Sequence, residues 1–114
     1  KKWSNAYYLA GYSIELALKA CVARQISADT LPERRLINDV YTHDIVKLAG
    51  LAGLKLELKT KSDADSVFAA NWAICAEWSP ETRYQDKTAA ETTFLLNAIS
   101  NNENGVLPWI KTYW

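Results

Sequence analysis

Apolar positions in this chain recur mostly at helical spacing. The run AYYLAGYSIELALKACVAR near the start is apolar or small almost all the way round. At about 100° per residue, Tyr7, Ala10, Ile14, Ala17, Leu18 and Cys21 form one apolar face, and Leu9, Leu16, Ala20 and Ala23 form a second. Tyr8, Tyr12, Glu15 and Lys19 fall on a narrow stripe between the two. A helix that is hydrophobic around most of its circumference is the central helix of a bundle or a membrane span. The charges inside the run argue for the bundle, so a first helix is predicted from Ser4, as N-cap, to Ser27. LPERRLIND then reads as an exposed loop.

Thr42 is the expected N-cap of a second helix through HDIVKLAGLAG, with Ile45, Leu48, Ala49 and Ala52 inward. Asp44 in its first turn suits the helix dipole, and Gly53 ends it. LKLELK alternates like a strand but has no partner strand, so an extended connector or the frayed end of helix two is expected. A third helix starts near Ser62 or Asp63, carries Val67, Asn71, Ile74, Cys75 and Trp78 on one stripe, and is stopped by Pro80. After the loop SPETRYQD, a fourth begins at Asp86 or Thr88, where Thr88 and Glu91 fit a capping box. It buries Ala90, Phe94, Leu95, Ala98 and Ile99 and ends at NNENG. Pro108 opens a short fifth helix in VLPWIKTYW. The sum is one all-α domain over residues 1–114, an antiparallel up-and-down bundle of four main helices plus a short C-terminal helix.

At 114 residues and 49% hydrophobic the chain can bury a real core. Thirteen basic and thirteen acidic residues leave no global field to draw it onto nucleic acid or a membrane. No charge-free apolar run reaches membrane-spanning length, and no signal peptide is visible before the first helix. The chain has no Met, so Lys1 is not an initiator and further sequence before it is expected. Cys21 and Cys75 lie far apart inside apolar helical patterns and are expected as buried thiols in a reducing cytosol. A disulfide would require their helices to pack side by side. With one His and two isolated Cys, neither a metal site nor a cofactor is expected.

YYLAGYSIELALKACVAR, with its aromatic, small residue and Glu-x-x-Leu-Lys order, resembles the opening helix of HEPN-domain proteins. YTHDIVKLAGLAGL is similar to the His-Asp-Leu start of their second helix, NWAICAEWSPETRY to the Trp…Arg-Tyr end of their third, and GVLPWIKTYW to their closing segment. The resemblance implies a helical bundle, usually a homodimer, in bacteria or archaea. Such proteins are often encoded beside a nucleotidyltransferase-like antitoxin or serve in defence systems, and many are metal-independent ribonucleases. The family's catalytic Arg, followed by His after four to six residues on a late helix, is not matched here. Seven residues separate Arg35 from His43, ahead of helix two, and no His follows Arg83. What the resemblance implies is therefore a nucleic-acid- or nucleotide-associated module of a toxin–antitoxin or defence system without that motif. An active ribonuclease with a rearranged site of Glu15, His43 and Arg83 is one alternative, and a non-catalytic interaction and dimerisation module is the other.

The candidate ligand-binding cluster is Tyr8, Tyr12, Glu15, Lys19, His43, Asp44, Arg83 and Tyr84. Buried charges need partners, so Glu15 and Lys19 either gather His43, Asp44, Arg83 and Tyr84 or pair with each other on a solvated strip. His43 either acts as a general base or simply bonds to backbone or Glu15. Arg83 offers a fork for phosphate while Tyr84 and Trp78 stack a base, or it pairs with Glu15 or Glu77 and locks the turn. Arg34, Arg35, Lys55, Lys59 and Lys61 form either a phosphate-facing patch or a solvated face. Trp72, Trp109 and Trp114 are expected at a protein interface, self-association being the simplest.

Overall fold

The computed structural model describes residues 2–26 and 38–114, and these are all-helical, without a strand. Helix α1 runs Lys2–Arg24, α2 Ile45–Leu51, α3 Lys55–Ala64 and α4 Ser66–Ala76. A 3₁₀ turn spans Pro80–Tyr84, and α5 (Ala89–Ser100) and α6 (Val106–Lys111) complete the chain. The expected end of the first helix at Ser27, most of the LPERRLIND loop, and Arg34 and Arg35 lie outside the described residues.

Helix α1, about 35 Å long at 1.5 Å per residue, packs against α2, α5, α6 and the 3₁₀ turn, while α4 packs against α2, α3, α5 and α6. The core gathers Ile14, Leu18, Val22, Ile45, Leu48, Phe68, Leu95, Val106 and Ile110. The first helix begins earlier than predicted. Ser4 lies inside it and is no cap: its hydroxyl accepts from the Lys87 amide at 2.9 Å and, with Thr92 donating to the Trp3 carbonyl at 3.0 Å, clips α5 to α1. The second apolar face of α1 is not core. Leu9 and Leu16 are 63% and 51% exposed, because α1 is covered on one side only.

The caps of α2 and α5 follow local chemistry. Asp44, not Thr42, caps α2 by accepting from the Lys47 amide at 3.1 Å. Gly53, at φ +74°, closes α2 in a Schellman motif, with Gly53 N–H donating to Gly50 and Leu54 N–H to Ala49. Thr88 and Glu91 make the reciprocal capping box of α5. Phe94 and Ala90 do not join the buried face of α5; Phe94 is 64% exposed, and Thr92 takes the inward position instead.

LKLELK is neither connector nor frayed end but the start of α3. Lys, Leu and Glu are all good helix formers, and without a partner strand their alternation yields to that preference. One residue separates α3 from α4. Asp65, extended at φ −140°, ends α3 through its N–H to Lys61 O and caps α4 by accepting from the Phe68 amide at 3.0 Å. Its other oxygen accepts from Asn104 Nδ2 at 2.6 Å. These two donors hold its carboxyl below the ordinary range. The predicted third helix therefore starts at Ser66, and Val67 is exposed.

Both cysteines are free and buried. Cys21 Sγ lies 3.8 Å from the Ile110 carbonyl oxygen. Burial pushes the Cys75 thiol up to about 12. Because folding favours the neutral thiol, this contribution to stability is complete below the ordinary thiol range near about 8.5 and is lost as pH rises towards 12. Urea melts between pH 8 and 11 should show falling stability in the native sequence and a shallower fall in Cys75→Ala; parallel curves would refute the assignment.

Candidate functional site

The site is built on the polar stripe of α1. Glu15 is 1% exposed although it is charged. Its Oε1 lies 2.8 Å from His43 Nδ1 and its Oε2 3.3 Å from Lys19 Nζ, the latter one helical turn on. Two cationic or N–H-bearing partners thus meet a carboxylate removed from water, which is what a buried charge requires. His43 reaches Glu15 because it directly precedes Asp44, the cap that fixes the start of α2 against α1. Its own side chain is about half exposed. Because a carboxylate only accepts, Nδ1 is the ring nitrogen that donates to it.

His43 lines a cleft of about 430 Å³ with Asp44, Glu77, Trp78, Ser79 and Glu81. The rim is acidic. The Glu81 carboxyl is held low first by its own backbone N–H, then by the Ser79 hydroxyl, with a smaller pull from His43. Asp44 is engaged as a cap, so within the predicted cluster it positions His43 rather than joining Glu15.

Arg83 takes neither Glu15 nor Glu77 as partner. Its guanidinium lies over the Tyr8 ring, 5.7 Å from the centroid. Tyr8 leads into an aromatic group, with Tyr12 at 6.0 Å and Trp78 at 5.9 Å between centroids, and Tyr12 meets Trp78 edge-on at 6.4 Å. Tyr84 is 84% exposed. Arg83 and Tyr84 border a second hollow with Ser4, Asn5, Gln85 and Asp86. The stripe therefore carries an imidazole at Glu15 and a guanidinium over the ring of Tyr8, seven residues or about 10 Å apart along α1.

Other expectations fare differently. Trp78 is buried, as its stripe predicted. Trp109 is not a surface anchor: it is buried among Phe68, Trp72 and Tyr113, at 5.2, 6.3 and 5.4 Å between centroids. Lys59 and Lys61 each pair with an acid one turn on, Asp63 and Asp65, at 2.8 and 3.5 Å. Gly11 was missed by sequence reasoning. The Trp78 indole lies directly on it, and a Cβ there would fall 2.0 Å from Cδ1. Its only sequence signal is a glycine inside a strong helical pattern.

Among the described residues no cluster of His, Cys, Asp and Glu could hold a metal ion, and no helix is long and apolar enough to cross a membrane. The chain matches no family model, and no curated protein or solved structure is significantly similar to it.

Proposed function

We propose that this chain is a HEPN-like module, an antiparallel up-and-down bundle, that holds a single-stranded RNA segment or nucleotide along the α1 stripe. Its setting is a prokaryotic toxin–antitoxin or defence system, where it acts as a homodimer beside a nucleotidyltransferase-like antitoxin. One observation carries the binding role: Arg83 over the Tyr8 ring beside an almost fully exposed Tyr84. A guanidinium fixed on a ring keeps its N–H edge for phosphate, and an open tyrosine accepts a base by stacking. The acidic rim of Asp44, Glu77 and Glu81 repels phosphate at the His43 end. Phosphate therefore belongs at Arg83, and base or ribose near His43.

A second reading, metal-independent RNA cleavage, is favoured by the Glu15–His43 contact, since a carboxylate-oriented imidazole is the arrangement a general base needs. Both are tested with a labelled single-stranded RNA. Native protein should retard it on a gel, and Arg83→Ala should weaken binding at least tenfold. Cutting that disappears in His43→Ala selects the second reading. Neither retardation nor cutting refutes both and leaves an interaction module. Light scattering tests the dimer: a mass of one 12.8 kDa chain at micromolar concentration counts against it.

A further inference from the structure

We infer that a second site, between α3 and α6, binds an organic cation that carries N–H donors, an alkylammonium or guanidinium group on an apolar stem. The site is a hollow of about 450 Å³ whose walls include Leu56, Glu57, Lys61 and Ala64 of α3 with Trp109 and Tyr113 at the C-terminal end. It lies apart from the α1 stripe and shares none of its residues.

Two independent features define its ligand. Glu57 Oε2 is buried and has no hydrogen-bond partner. A carboxylate oxygen withdrawn from water without a donor is costly, so the occupant must bring an N–H and preferably a positive charge. Trp109 and Tyr113, packed edge to face at 5.4 Å, supply aromatic walls that attract a cation and cover an alkyl stem.

The chain's own candidate occupant lines the hollow but is already paired. Lys61 stands one turn after Glu57, the favourable order for a pair. Yet its Nζ lies 3.5 Å from Asp65 and 5.6 Å from the Phe68 centroid. It leaves Oε2 unmet and carries an already compensated charge.

Heteronuclear NMR of the full chain, following the Trp109 indole N–H, tests the site with n-butylammonium chloride as probe. A saturable shift is expected, weakened at least tenfold in Glu57→Gln and unchanged in Arg83→Ala. The uncharged 1-butanol should not reproduce it. No saturable shift, equal shifts with 1-butanol, or full binding by Glu57→Gln would each overturn the site. Lys61→Met should bind no more weakly than native protein; binding confined to that variant would make Lys61 the occupant and end the proposal. A parallel titration with N-acetyl-lysine N-methylamide separates the sources. Tighter binding than the simple amine identifies a lysine side chain of a protein partner, and weaker binding identifies a free amine.

Discussion

Gly11→Ala should destabilise the protein, although alanine is the better helix former. The helix gains about 1 kcal/mol from the exchange. Against this, the new Cβ falls 2.0 Å from Trp78 Cδ1, 2.2 Å from Cγ and 2.3 Å from Nε1, distances that real Cβ atoms do not adopt. The clash is with the root of a rigid indole wedged against Tyr8 and Tyr12, not with a flexible tip. Overpacking of this kind costs about 1–3 kcal/mol and occasionally more; with three ring atoms this close the upper figure applies, so after the helix gain a net loss of about 2 kcal/mol is expected. Urea unfolding measures it. In a Trp78→Leu background the penalty should vanish and the helix gain reappear, giving a coupling of at least about 1 kcal/mol. A Gly11→Ala protein as stable as the native one would show that the indole does not lie on α1.

The second large effect is an asymmetry between His43 and Glu15. His43→Ala removes a half-exposed ring and little buried area, yet it strips a donor from a carboxylate that is 1% exposed. Leaving a buried acceptor short of a partner costs about 1–3 kcal/mol, more when it is charged. Lys19, at 3.3 Å, then holds the charge alone. Glu15→Met replaces the same volume with an apolar chain. The partners it abandons, Lys19 and His43, both reach water and can be hydrated there. Because Lys19 and His43 reach water, removing Glu15 leaves no uncompensated charge buried, so Glu15→Met should change stability by less than about 1 kcal/mol while freeing the His43 ring. Thermal and urea melts of both variants decide. A neutral His43→Ala beside a crippled Glu15→Met would reverse the assignment.

Much of this was legible where the cause is local. Thr88 and Glu91 announce their cap by spacing, Pro80 and Gly53 mark ends, and Glu15 with Lys19 is an i, i+4 pair. Even the His43 contact is within reach of sequence, because an N-cap beside the ring fixes where it stands. What was hidden depends on which faces meet. LKLELK satisfies both a strand alternation and a helix composition, and the Asp65 cap and the absence of a partner strand among the described residues decide between them. Leu9, Leu16 and Phe94 look like core until the number of neighbours around α1 and α5 is known. Arg83 had carboxylates to choose from and took an aromatic ring, a choice made by the geometry of the 3₁₀ turn across α1.

Asp65 joins α3 to the rest through a single carboxylate shared by two helices and Asn104, and α3 has no fully buried residue of its own. Its face meets the core through the partly buried Leu58, and its end is fixed at Asp65. Releasing it exposes little apolar surface, so its opening free energy is small beside that of α1, whose loss dismantles the core. The chain is thus uneven in cooperativity: α3 is the part that can swing open while the rest of the molecule stays folded.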